Sequence, residues 1–320
     1  MRIYDSNGNL QYSDILGELS FGKYVRNITI DNSSNSSSLT DYQILITVDT
    51  ATLISAGKMR SDCGDIRFYD GTNNLSYWIE SGINTTSTRI WVKVPSIPAS
   101  GTKIIQMYYG NPNLGSLSSG DKTFLFFDDF SGGLDWTNKW KSTQQSLYTI
   151  SNGALILATT SDSSKMLQTK NSFSNFEVRF VMQEVTKQLY AHFPVGSTYQ
   201  EQDTIIQGYS TNSDMVYNIG GTTFGPISIT PGVWYYHRVI IYGTNTQTMR
   251  ITTYTDSGWT NVLFDKIGTS NLGASRYPSF FAFYSDNSGC KMDFIYIKNY
   301  SSPEPTITIG NEYTIPIRIK

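Results

Sequence analysis

Residues 40–50 read TDYQILITVDT, and their alternation sets the fold class of the chain. Tyr42, Ile44, Ile46 and Val48 share one face, the two-residue period of a half-buried β-strand. The same period recurs outward from this stretch. In residues 89–94, RIWVKV, the side chains of Ile90, Val92 and Val94 point inward, and Pro95 is expected to stop the strand. Residues 103–109 make a further strand, closed by Gly110-Asn111-Pro112. Strands are expected again at residues 154–158, 175–185, 233–242, 249–254 and 291–300, bounded by Gly, Asn, Asp, Ser or Pro. One helical turn is expected over residues 50–56, capped by Thr50 and ended by Gly57. Short strands at this spacing, without helices between them, predict an all-β chain of two consecutive β-sandwich domains.

Composition agrees. Charged residues are 16% of the 320, and Ser, Thr, Asn and Gly carry the polar load beside 22 Tyr and 16 Phe. β-Branched and aromatic side chains suit a pleated surface, while Asn and Gly make turns. The formal net charge of −2 comes without a basic stripe, which argues against a nucleic-acid partner. No stretch approaches the ~20 apolar residues of a membrane-spanning helix. The start, MRIYDSNG, lacks the apolar run of a secretory signal. Cys63 and Cys290 fall in different halves and are expected as two buried free thiols. The Gly-, Asn- and Ser-rich stretch around residues 111–120 reads as a linker, and DNSSNSSSL at residues 31–39 as a flexible loop. The resulting division is an N-terminal extension at residues 1–20, a first sandwich at 21–118, a second at 119–312 and a tail at 313–320.

Four blocks in order, TDYQILITVDT (40–50), GKMRSDCGDIRFYD (57–70), YWIESG (77–82) and IWVKVPSIPASGTKIIQMYYGNP (90–112), resemble the family called domain of unknown function 2341. That resemblance implies a β-sandwich module of secreted, cell-surface and viral proteins, with no activity attached. FFDDFSGGLDWTNKW (126–140), PGVWYYHRVII (231–241) and KMDFIYIKNYSSPEPTITIG (291–310) resemble a concanavalin A-like lectin/glucanase jelly roll. The opening MRIYDSNGNL is similar to the start of some virus tail proteins.

Glycoside hydrolysis needs two carboxylates flanking the bond. Glucanases of the resembled fold carry a Glu-x-Asp-x-x-Glu run on one strand, and no such run occurs here. Glu177 and Glu184, seven positions apart, point to opposite faces of a strand. Glu201 and Asp203 share a parity but sit in the polar stretch GSTYQEQD. His237 lies in an inward apolar stripe with Tyr235, Val239 and Ile241, where a hydrogen-bonded core histidine is the ordinary reading. A non-enzymatic protein is therefore expected. The jelly-roll resemblance implies a structural calcium between the opening and closing strands, and the matching positions are Asp129 and Asp293. Tyr199, Tyr209, Tyr217, Tyr254 and Trp259 stand amid Ser, Thr, Asn and Gly, a composition suited to ligand contact. Trp140 and Trp234 read instead as core residues. Sequons occur at Asn27, Asn32, Asn35, Asn74, Asn84 and Asn299.

The expected function is surface recognition of glycans or a cell-surface receptor, by a virion tail or fibre component or a cell-surface adhesin. The alternatives are a purely structural subunit, partnered by other virion or envelope subunits, and a polysaccharide-cleaving enzyme.

Overall fold

The computed structural model describes residues 2–4, 10–13, 22–157, 166–183, 188–194, 205–209, 214–271, 275–283 and 290–315. The backbone alone is described at 2–4, 10–13, 188–190, 205, 207–209 and 281–283. The regular structure among the described residues is almost entirely strand, in two compact units. The first unit opens with a short hairpin of β1 (Arg2–Tyr4) and β2 (Leu10–Ser13).

The first unit contains β3 (Tyr24–Asp31), β4 (Leu39–Val48), α1 (Thr50–Ser55), β5 (Arg67–Asp70), β6 (Asn73–Leu75), β7 (Tyr77–Ser81), β8 (Thr88–Ile97), β9 (Thr102–Tyr109) and α2 (Gly120–Thr123). The alternation in residues 40–50 does what its period dictates. Ile44, Ile46 and Val48 of β4 and Ile90, Val92 and Val94 of β8 are buried against Ile28, Ile30, Ile105 and Met107 of the facing sheet. Strand β8 runs through Pro95 to Ile97, because the opposing Asp41 takes a φ of 47° and the pairing resumes at Thr40 and Ser96. Asp49 rather than Thr50 caps α1, its Oδ1 accepting from the Thr52 amide at 2.9 Å.

Three expectations are corrected here. The stretch at residues 111–120 is no loose linker. Leu114 and Gly115 offer carbonyls to Arg60 and Arg67, the Ser118 hydroxyl accepts from the Ile79 amide, and the Ser119 amide donates to the Tyr77 carbonyl. The loop at residues 31–39 is tied down too: the Asn32 amide donates to the carbonyls of Ser37 and Pro98, and that of Asn35 to Pro303. Both asparagines are buried, so two of the six sequons are not surface sites. The third correction is the domain boundary. The first unit ends at Phe124 and resumes at Ser302, so the second is inserted within it. Strand β25 (Thr306–Thr314) pairs antiparallel with β3 and completes the sheet β25-β3-β9-β5-β6. Ile307 and Ile309 pack on the first core, while Glu312 binds the Lys58 ammonium and the Tyr109 hydroxyl.

The second unit, residues 125–301, is a jelly roll of two sheets. Its strands are β10 (Phe126–Asp128), β11 (Trp140–Lys141), β12 (Tyr148–Ser151), β13 (Ala154–Leu157), β14 (Leu167–Thr169), β15 (Phe176–Gln183), β16 (Gln188–His192) and β17 (Ile205–Tyr209). They continue as β18 (Asp214–Ile219), β19 (Thr222–Ser228), β20 (Trp234–Tyr242), β21 (Gln247–Tyr254), β22 (Val262–Ser270), β23 (Ser279–Phe283) and β24 (Cys290–Asn299). One sheet has the order β12-β13-β24-β15-β20-β21-β22, with β10 also paired to β24. The other has the order β11-β14-β23-β16-β17-β18-β19. Between them lie Phe176, Val178, Phe180, Met182, Tyr235, Val239, Ile241, Ile206, Met215 and Phe280. The expected core tryptophan Trp140 is fully buried there, its indole N–H donating to Asp128 at 2.7 Å. Cys63 and Cys290 are buried free thiols.

Candidate functional site

The core assignments fix which residues face outward. In the seven-stranded sheet, Leu167, Phe280, Ala191 and Ile206 belong to the core, so their strand neighbours belong to the other face. The ladder register links those neighbours into one row: Lys141 of β11, Gln168 of β14, Ser279 of β23, His192 of β16, Ile205 of β17, Asn218 of β18 and Thr223 of β19. Six of these seven positions carry polar side chains. Gln168, Ser279 and His192 are nonetheless almost fully buried.

These buried groups are arranged rather than merely tolerated. The Gln168 amide donates to Ser279 Oγ at 3.0 Å, and that hydroxyl donates to the Tyr277 carbonyl at 2.8 Å. The Lys141 ammonium stands 4.5 Å from the centre of the Tyr277 ring. At the far end, Asn218 Oδ1 accepts from the Gly221 amide at 3.0 Å. Burial pushes His192 down to about 3, so its ring is neutral at neutral pH.

The outer face of the eight-stranded sheet differs. Glu177 is fully buried between Arg179 Nε at 2.6 Å and Arg238 Nη2 at 2.7 Å, with Lys298 Nζ at 3.8 Å. Burial alone would raise this carboxyl, but the charges of Arg179, Lys298 and Arg238 outweigh it and hold Glu177 well below the usual range. It is a fixed anion, unsuited to donate a proton. Beside it Val181, Trp234, Tyr236, Tyr254, Trp259 and Phe294 form an apolar cluster separate from the core.

The expected ligand contacts divide accordingly. Tyr254 and Trp259 do meet, ring centres 5.7 Å apart, but each is buried in that cluster. Tyr217 is corrected to a core residue: it stacks on Phe264 at 3.7 Å and donates to Thr253 Oγ1. Tyr209 ends β17 opposite Asp214, with only its backbone described, and Tyr199 lies outside the described residues. So do Glu184, Glu201 and Asp203. Trp234 is corrected from core to outer face, because its neighbour Tyr235 is the one in the core. His237 is a core histidine as expected, stacked on Phe180 and sharing a hydrogen bond with Thr253 Oγ1.

Asp129 and Asp293 are both exposed, and the charge of the first is felt by the second. Desolvation, with the charge of Asp129 added, raises the Asp293 carboxyl above its ordinary value. Asp129 also accepts from the amide and hydroxyl of Ser131. Neither carboxylate has a cationic partner among the described residues. Those residues hold no cluster of three or more His, Cys, Asp or Glu arranged for a metal. No helix among them is long and apolar enough to cross a membrane.

A family model described as "Domain of unknown function (DUF2341)" matches residues 62–143, running from the first unit into the second. No curated protein matches the chain in sequence. Among solved structures, a bifunctional GH43-CE protein of Bacteroides eggerthii is similar at TM-score 0.43 and 12% identity, over 62% of this chain and 32% of that one. A β-1,3-1,4-glucanase (lichenase) from a mouse hindgut metagenome reaches TM-score 0.38 at 9% identity, over 54% of this chain and 98% of the other. An alginate lyase with an alginate tetrasaccharide gives TM-score 0.35 and 12% identity, over 50% of this chain and 86% of that one. At these identities the likeness is one of fold. The expectation of a non-enzymatic protein is corrected on this point: the similar structures are named as hydrolases and a lyase. The virion expectation gains no support from these likenesses.

Proposed function

We propose that the second unit binds a polysaccharide across the outer face of its seven-stranded sheet. The observation that supports this reading is the polar row from Lys141 to Thr223, in register across all seven strands. A solvated sheet face is ordinarily polar, but it has no reason to bury an amide, a hydroxyl and an imidazole side by side. Such groups would brace the accessible members of the row, and Lys141, Asn218 and Thr223, polar and convergent on one face, are what a hydroxyl-rich ligand requires. At about 4.8 Å per strand the row runs about 29 Å, which suits an oligosaccharide better than a single sugar.

The test is binding of neutral and acidic polysaccharides to the whole chain, followed in parallel for release of new chain ends. Asn218→Ala and Thr223→Ala should each weaken binding about tenfold with little change in melting, the scale of one lost hydrogen bond to a ligand. Undiminished binding by both variants would remove the site. Release of chain ends would extend the role from binding to cleavage.

A calcium ion between Asp129 and Asp293 remains a proposal. Two neighbouring carboxylates without a cationic partner suit a divalent cation, and backbone carbonyls would have to complete the six to eight oxygens that calcium takes. Asp128 is not available for this, since its carboxylate already accepts from the Phe130 amide and the Trp140 indole.

A further inference from the structure

The outer face of the eight-stranded sheet carries a second constellation. Register sets Tyr254, Tyr236 and Val181 side by side on β21, β20 and β15, with Trp234 beside Gln183 one step along. On β24 a register shift at Phe180/Met182 brings Phe294 against the same cluster. Trp234, Tyr236 and Phe294 are half-buried, each keeping part of its ring in solvent, and Val262, opposite Tyr254, is 55% exposed.

The rings beneath are held with unusual redundancy. Trp259 adopts a φ of 59°, a costly conformation for a bulky residue. The loop that imposes it is built on Asp256. That carboxylate accepts from the amides of Gly258, Thr260 and Asn261 and from the Thr260 hydroxyl. Trp259 then meets the Tyr236 ring at 5.5 Å and the Tyr254 ring at 5.7 Å, with the Arg179 guanidinium 4.8 Å from its centre. Arg179 is in turn fixed by Glu177. Strain of this kind persists only where surrounding structure over-determines it, and it tends to mark ligand contacts. The margin is acidic: burial, then the charges of Asp293 and Asp256, raise the Tyr236 phenol.

We propose that Trp234, Tyr236 and Phe294, backed by Trp259 and flanked by Asp256 and Asp293, form a second carbohydrate-contact surface, selective for uncharged glycans. Aromatic faces receive the apolar C–H faces of sugar rings, and the Asp293 carboxylate accepts from their hydroxyls, while Asp256, its oxygens already engaged in the loop, contributes only its charge. Without a divalent cation on Asp293, the same carboxylates repel a polyuronate, so the titration is made on the calcium-free chain. The surface shares its ligand class with the row on the opposite sheet, and none of its residues.

Calorimetric titration of the whole chain tests it, with a mixed-linkage β-glucan oligosaccharide as neutral probe and an alginate oligosaccharide as polyanion. The wild type should take up two neutral chains. Trp234→Ala should remove one, weakening it at least tenfold, while Trp234→Phe keeps it; melting of each variant establishes that it is folded. Asn218→Ala should weaken the other chain alone. Unchanged uptake by folded Trp234→Ala overturns the second surface and leaves the first standing. A loss confined to Trp234→Ala supports the second and removes the first. Equal affinity for alginate at the Trp234 surface also overturns the inference, and a wild type that binds no neutral glycan overturns both.

Discussion

Lowering the pH from 7 to 5 should destabilise the second unit through the only two histidines in the chain, His192 and His237. Both are buried within it, and burial pushes both down to about 3. In the unfolded chain each ring titrates near 6.5. Between those values the unfolded state binds more protons than the folded one, so stability falls as acid is added. For one histidine with these two values, the loss from pH 7 to pH 5 is about 2 kcal/mol, hence about 4 kcal/mol for the pair. In a unit of this size that corresponds to a fall in Tm of about 8–15 °C. Asp128 and Asp293, whose carboxyls burial raises, act in the opposite sense and trim the effect toward the acid end. His237 has little means of escape, since its Nε2 is buried without a hydrogen-bond partner among the described residues and Phe180 covers the ring. Differential scanning calorimetry at pH 7, 6 and 5 measures the fall, and His192→Gln and His237→Gln should each remove about half of it. Imidazole resonances titrating near 6.5 in the folded protein, or an unchanged Tm across this range, would refute the reasoning.

Three other perturbations follow from the same contacts. Glu177→Ala should cost about 3–5 kcal/mol, read by chemical denaturation, because it leaves Arg179, Arg238 and Lys298 without the anion between them. Removal of residues 302–320 should abolish the cooperative melting of the first unit, and a peptide of residues 302–315 added to that protein should restore it by re-forming the β25–β3 ladder. Chelation after full calcium loading should lower the Tm of the second unit and spare the first, with Asp293→Ala insensitive to chelator; a loaded wild type that ignores chelator disproves the ion.

How much of this was legible depends on the range over which each feature is encoded. Strand β4 and the inward side of β8 were read correctly, because a period of two is a local property and both strands obey it. Trp234 departs from its expected core place although the deciding signal is local: Tyr235, His237 and Val239 alternate inward, which puts residue 234 outside. Tyr217 was equally decidable, since Met215, Tyr217 and Ile219 of β18 share one parity. The polar row was beyond reach. Its seven residues are spread over residues 141–279, and six separate strand registers align them. Strand β25 was missed for the same reason: ITIG looks like a continuation of the preceding strand, while its partner β3 lies almost 280 positions earlier.

That return of the chain explains how a jelly roll can interrupt another domain. Strand β10 enters the second unit and β24 leaves it, and the two pair directly, Phe126 opposite Ile297, with the Leu125 amide donating to the Ile297 carbonyl. The unit's two ends therefore lie side by side, the condition under which a domain can be inserted into a host without stretching either. The host carries the cost. Its sheet lacks the β25 edge until the whole jelly roll has been synthesised, and until then β3 presents unpaired backbone groups. Glu312, reaching both Lys58 and Tyr109, fixes the late strand to residues that have been waiting since the first half of the chain. The order of assembly that follows is a jelly roll able to fold on its own and a first unit that closes last. Limited proteolysis during refolding should accordingly find residues 125–301 protected before residues 22–124, and the reverse order would contradict it.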